Sequence, residues 1–254
     1  MPRLIPIRLV IACALAVLLL ASMTAAAAAK VPVGLRVVGG GGKVLAEEAL
    51  ETGTTSVPTS PKATCFGKGT GGSGKAVKIK GATALGLLGQ AVKSTAALRP
   101  LLLTDAFDFG LGICSVSGYS ATSKLSWYLK VNHKNPELGG EAVKLKAGDE
   151  VLWALEPYPY PKELSLVAPA AAADGVPFEV RVFSYNDKGK RKPAAGVTVT
   201  GATAPTNAEG RTTVTLTGPI SGPFTLGATH GKDIPSNQVQ VCLGGPCPVP
   251  VSAA

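Results

Sequence analysis

Hydrophobic and polar positions alternate along this chain in two different textures. From residue 34 the pattern reads as a hairpin. GLRVV (34–38) and KVLAE (43–47) flank four consecutive glycines, where positive φ carries no steric cost. Residues 52–75 are rich in Gly, Thr, Ser, Pro and Lys and predict a long loop. Thr83 then caps a short amphipathic helix that places Leu85, Leu88 and Val92 on one face. Beyond Arg99 and Pro100 an apolar run leads into a glycine-kinked strand and turn at 107–119. Two further strands are expected, at 127–133 and 142–155. The second is interrupted by the turn KAGD (146–149) before it resumes around Trp153.

Proline and tyrosine alternate through EPYPYPK (156–162), which stiffens the backbone and predicts a linker. After it the texture changes. Short apolar–polar alternations at 164–167, 178–182, 197–199, 212–216, 224–226 and 238–241 are separated by Gly, Pro and Asn turns. That rhythm of short strands predicts a β-sandwich over 163–243, with a short tail at 244–254. The expected fold class is therefore mainly β, in two domains.

The N-terminus adds a compartment. Arg3 and Arg8 precede an apolar run and then an alanine tract, the layout of a signal peptide over 1–29 with Ala27-x-Ala29 as the cleavage site. The alternative is an uncleaved anchor, since residues 9–29 make up about 20 residues, just enough to span a bilayer. The expected location is secreted or at the cell surface. With Cys13 in the leader, Cys65, Cys114, Cys242 and Cys247 remain. An even number in an exported chain reads as disulfides. Of three possible pairings, Cys65–Cys114 with Cys242–Cys247 keeps each pair within or beside one predicted domain. No metal site is expected, because the C-terminal spacing is too wide for a knuckle and neither histidine is near in sequence. The formal charge of +9 comes from scattered lysines, and the one cluster, KGKRK (188–192), falls in a predicted turn. Nucleic acid is not expected as a partner, because a continuous basic face with stacking aromatics is missing.

No catalytic set stands out. GTGGSGK (69–75) resembles a phosphate loop, but Ala76 replaces the magnesium-binding hydroxyl, and VKIK (77–80) alternates like a strand rather than opening a helix. His133 sits in a polar loop and His230 at a strand end, and no nucleophile elbow is present. Glu47, Glu48 and Glu51 read as a solvated face. The aromatics are more suggestive. Trp127 and Tyr128, with Tyr158 and Tyr160 in the linker, can offer flat rings with polar handles to a ligand, or can fill the core and the domain junction.

Together the hairpin, the helix, FGLGI (109–113), WYLKVN (127–132) and LKAGDEVLW (145–153) resemble the transcobalamin-like C-terminal domain, a bacterial domain of unknown function. The resemblance covers residues 34–155 and implies a β-grasp-like α+β domain. In that motif Gly148 permits the turn into the last strand, Asp149 bonds back to the turn's amides, and Asn132 ends its own strand in the same way. Cobalamin carriers sandwich their ligand against a helical barrel that has no counterpart in this sequence, so no cofactor is carried over. PAAGVTV (193–199) and TNAEGR (206–211) are similar to strands of bacterial immunoglobulin-like domains. The implied protein is an exported, non-enzymatic binding or surface-interaction protein whose partner is a small molecule or an envelope component. Two alternatives are a receptor for a corrin, sugar or peptidoglycan fragment and a purely structural envelope protein.

Overall fold

Val33, Leu35 and Val37 point to one side of the first strand and Arg36 and Val38 to the other, yet all five are buried. A strand whose two faces are both covered sits between two layers. This computed structural model describes residues 30–65, 67, 69–218, 223–245 and 247. The predicted signal segment and most of the tail lie outside the described residues.

In the first half, β1 (Val31–Gly39), β2 (Lys43–Thr52), β8 (Leu125–Val131) and β9 (Glu150–Pro157) form one mixed sheet in the order β2-β1-β9-β8. β1 and β9 run parallel and the other pairs antiparallel. Two smaller sheets flank it. One pairs β3 (Thr55–Pro58) with β4 (Ala76–Ile79), and the other joins β5 (Leu101–Phe107), β6 (Gly110–Val116) and β7 (Tyr119–Ser120). Helix α1 (Ala84–Ser94) begins where Thr83 Oγ1 accepts the Gly86 amide at 3.0 Å. Its Leu85, Leu87 and Leu88 join Val33, Leu35, Val37, Val151 and Trp153 in one core. Gly89 is required here: a Cβ would lie 2.2 Å from Val57 Cγ1, so the helix approaches β3 more closely than any side chain allows.

The second half contains β10 (Glu163–Val167), β11 (Ala171–Ala172), β12 (Phe178–Tyr185), β13 (Arg191–Pro193), β14 (Thr198–Val199), β15 (Arg211–Val214), β16 (Pro223–Leu226), β17 (Ala228–Thr229) and β18 (Val239–Leu243). β12 is central to one sheet, pairing with β10, β13 and β15, while β18 joins β11 and β16 in another. Alternate residues such as Leu164, Leu166, Val180, Val182, Leu226 and Val241 meet in a second core.

Three expectations change. Residues 52–75 are not one open loop. β3 forms within them, Ser60 N donates to Leu103 O at 2.8 Å, and the Cys65–Cys114 disulfide ties the segment to β6. These bonds reach distant segments, which composition does not register. The predicted strand at 142–155 exists only from Glu150, because Val143 and Leu145 turn down into the helix-side core instead of joining a ladder. The predicted linker at 156–162 is shorter at its start: Glu156 and Pro157 still pair with Ser126 and Leu125. Proline is tolerated there because it occupies the last position of the strand.

The linker does not separate the halves. Period-two alternation places Arg36, Val38, Tyr128, Lys130, Leu152, Ala154 and Glu156 on the sheet face opposite α1. The second half covers that face. Val38, Tyr128, Leu152, Ala154 and Ile234 form an apolar patch, and beside it is a buried ion cluster. Glu163 Oε1 accepts from Arg36 Nη2 and, at 3.0 Å, from His133 Nδ1. Lys130 Nζ lies 3.4 Å from Glu163 Oε2. Arg36 also donates to Pro235 O at 2.8 Å, and Lys130 to the Tyr185 and Asn186 carbonyls at 3.3 and 3.2 Å. The His133 ring stacks on Tyr185 at 3.8 Å, and Tyr128 Oη donates to Asp187 Oδ1 at 2.5 Å.

Burial works against the charge on Glu163, but the His133 hydrogen bond and the Arg36 and Lys130 charges outweigh it and hold the carboxyl below its usual range. Burial pushes the Lys130 ammonium below its usual value, with Glu163 opposing. Glu163→Gln leaves two buried cations without a counter-charge. Urea unfolding is expected to show a loss of about 3–5 kcal/mol. Glu179→Gln, at the exposed Arg211 pair, is expected to cost less than about 1 kcal/mol.

Glu156 behaves oppositely. Burial alone raises its carboxyl from 4.5 to about 7. The folded state therefore binds its proton more tightly than the unfolded chain. That contribution is full below 4.5 and is lost as pH rises through about 7. Glu163 contributes in the other sense: its stabilisation is present above the unfolded value and is lost as pH falls through the lower folded value. Glu156→Gln is expected to raise the Tm at about pH 8 and to match the parent near about pH 5, as measured by calorimetry across that range.

Candidate ligand-binding cleft

The β5–β6 hairpin and the 132–141 loop face each other across an open cleft of about 350 Å³. This is within the range of small-ligand sites. The hairpin brings Phe107 and Phe109, whose rings stack at 4.8 Å with 11° between planes. Phe109 is 77% exposed although it is a large apolar side chain. Leu138 on the facing loop is 62% exposed. Exposed apolar groups on both lips of a cleft are the kind of surface that marks a binding groove.

Local sequence explains the shape. Glu141 Oε1 accepts the Leu111 amide at 3.3 Å, which ties the loop to the hairpin. Asn132, His133 and Glu137 all adopt positive φ, so the chain folds back sharply after β8. Gly140 has no Cβ because one would lie 2.7 Å from the Trp153 ring. That ring forms part of the floor, and its Nε1 donates to Ala84 O at 3.3 Å. Trp127 lies alongside. Its indole N–H is buried and meets no acceptor among the described residues. An unpaired buried donor of this kind is costly to keep.

The aromatic residues singled out from sequence occupy three different environments. Trp127 lines the cleft. Tyr128 and Tyr160 stack at 3.8 Å and close one end of it, with Tyr160 Oη 2.9 Å from Ser126 Oγ. Burial, with the Asp187 hydrogen bond, drives the Tyr128 hydroxyl far above its usual value, so it remains a donor. Tyr158 is 82% exposed, lies edge-on to Tyr160 and is not part of the cleft.

The turn residues form a connected group. Asn132 Nδ2 donates to Asp149 Oδ1 and Asn132 Oδ1 accepts the Glu150 amide, both at 2.9 Å. Asp149 Oδ2 accepts the Lys146 amide at 2.9 Å, and Gly148 adopts φ +82°. These bonds hold the end of β8 against the start of β9. The cysteines form Cys65–Cys114 and Cys242–Cys247, with Cα separations of 4.8 and 5.1 Å. Cys65 reaches the cleft wall.

The other polar groups singled out from sequence have partners of their own. His133 is engaged by Glu163, and His230 Nδ1 pairs with Asp233 Oδ2 at 3.0 Å in an exposed turn. In the glycine-rich loop, the Ser73 amide and hydroxyl both donate to Asp105 at 2.6 Å. These bonds hold the Asp105 carboxyl below its usual range. The loop therefore already carries an anion of its own, in place of a phosphate. Among the described residues no three His, Cys, Asp or Glu side chains converge as a metal-binding group, and no helix is long and apolar enough to cross a membrane. Sequence reasoning passed over Phe109 and Leu138. Their signal was an apolar residue directly before glycine, at 109–110 and 138–139. Comparison with known proteins finds no matching family model and no curated protein with significant sequence similarity.

Gly140→Ala forces a methyl group against Trp153. Denaturation is expected to show a loss of about 1–3 kcal/mol, accompanied by a change in near-ultraviolet circular dichroism as the indole is displaced.

Proposed function

We propose that this chain is an exported, non-enzymatic binding protein, in which a β-grasp-like first module carries the ligand cleft and an immunoglobulin-like second module braces it. The observation that carries this reading is the aromatic cleft, lined by Phe107, Phe109, Trp127, Tyr128 and Tyr160. Flat apolar walls suit the face of a ring, and the Ser126 and Tyr160 hydroxyls at one end can partner its polar substituents. A sugar, a corrin or a peptidoglycan fragment has both. The order β2-β1-β9-β8, with α1 packed on one face, supports the resemblance to the transcobalamin-like domain. Alternating inward residues on the strands of the second half support the sandwich reading. Two disulfides favour an oxidising compartment.

The test is a titration with cyanocobalamin, a chito-oligosaccharide and muramyl dipeptide, followed by calorimetry and by tryptophan emission for the colourless ligands. One of them is expected to give a saturable signal that Phe109→Ala weakens by a factor of about ten, through loss of the exposed ring wall. Flat responses to all three at millimolar concentration would count against the ligand reading and favour a structural envelope role.

A further inference from the structure

A second cavity, separate from the aromatic cleft, lies at the junction of the two halves. Its volume is about 350 Å³. Its walls come from three places: the β1–β2 turn, the segment after β9 and the 229–235 loop. Glu156 is set into this wall by the strand alternation that also aims Leu152 and Ala154 at the second half. The residue is 8% exposed, and no hydrogen bond or ion pair to its carboxylate exists among the described residues. By contrast, Glu163, on the same junction, is surrounded by Arg36, Lys130 and His133. A buried carboxylate without a partner is an expensive feature unless something else supplies the opposite charge.

The rest of the wall indicates what that would be. Pro157, Pro159, Pro161 and Pro235 present ring methylenes and carbonyl oxygens but no backbone N–H. Such a surface accepts hydrogen bonds and packs against alkyl chains. The other charged groups at the cavity are Lys232, which is solvent-exposed, and Asp233, which is already paired with His230. From this geometry we infer that the cavity is a binding site for a small alkyl ammonium group, with Glu156 as its counter-ion. The ammonium would sit against the carboxylate and its methylenes against the proline wall. The shared chemistry is a primary amine on an alkyl stem, carried either by a free diamine or by a lysine side chain of a peptide. This inference does not depend on the aromatic cleft.

The Glu156 carboxyl titrates at about 7, raised by burial, so binding should strengthen above neutrality and fade below it. The experiment is an amide chemical-shift titration of the full chain at about pH 8 with butane-1,4-diamine and, in parallel, with Nα-acetyl-lysine methylamide. Saturable shifts are expected at the Gly41, Gly42 and Gly231 amides. Glu156→Gln, which removes an uncompensated buried charge and so keeps the fold, is expected to weaken binding by about tenfold or more. Tighter binding of the lysine derivative supports the site and assigns it to peptides; tighter binding of the diamine supports it and assigns it to free amines. The absence of saturable shifts with either probe, or equal affinity in Glu156→Gln, would overturn the inference.

Discussion

Glu163 opens the first strand of the second half, and its carboxylate lies among two cations and a histidine that all belong to the first half. Arg36 comes from β1, Lys130 from β8 and His133 from the turn after β8. None of these charges would be stable in this position alone, because each is almost entirely removed from water. They are stable together because Glu163 takes Arg36 and His133 on one oxygen and faces Lys130 with the other, while carbonyls of the second half accept the remaining cation donors. The apolar patch of Val38, Tyr128, Leu152, Ala154 and Ile234 supplies the driving force for docking beside it. The ion cluster sets where docking can occur, since any slip leaves a charge unpaired.

Both cavities of interest follow from this docking. The turn after β8 must bend back sharply to deliver His133 to Glu163, and the same turn continues into the loop that carries Leu138 and Gly140 over Trp153. Tyr160, just before the docking strand, stacks on Tyr128 and closes the end of the aromatic cleft. On the other side of the junction, the turn between β1 and β2 meets the 229–235 loop, with Gly42 beside Pro235, and leaves Glu156 facing the space between them. Two acids of the junction, Glu163 and Glu156, differ in their neighbours. Glu163 is ionised among cations, and Glu156 stays protonated to near neutrality because burial is not offset.

Much of the local structure was legible beforehand. The glycine run between two alternating segments could only be a tight hairpin, and Thr83 ahead of a leucine-rich period marked the helix start. Asp149 bonds back to the Lys146 amide as its residue type suggests, whereas Asn132, expected to close its own turn, reaches across to Asp149 and the Glu150 amide at the start of β9. The cleft was only partly visible. Trp127 was a candidate because it is an aromatic on a strand, whereas Phe109 and Leu138 looked like ordinary apolar residues beside glycine. Their exposure depends on which segments fold over them. Lys130 and Arg36 read as outward residues of alternating strands, the usual place for a charge. One sign did point the other way: Val38, Tyr128, Leu152 and Ala154 share their face and are apolar or aromatic, which is unusual for a surface open to water.

By itself, the sequence determined a mainly β chain, the tight turn at the glycine run, the helix start at Thr83 and the turn closed by Asp149 on the Lys146 amide. These follow from alternation, φ preference and short-range hydrogen bonding, which act between residues near one another in the chain. Only the tertiary structure decided that the Pro/Tyr segment joins two halves that are packed together, that Glu163 is the centre of a buried ion cluster, and that Trp127 and Glu156 border separate cavities. These depend on contacts between residues distant in the chain, from His133 with Glu163 to Arg36 with Glu163 and with Pro235. A pattern of hydrophobic and polar residues states which face of a strand can be covered, but the partner that covers it is set by the docking of complementary surfaces.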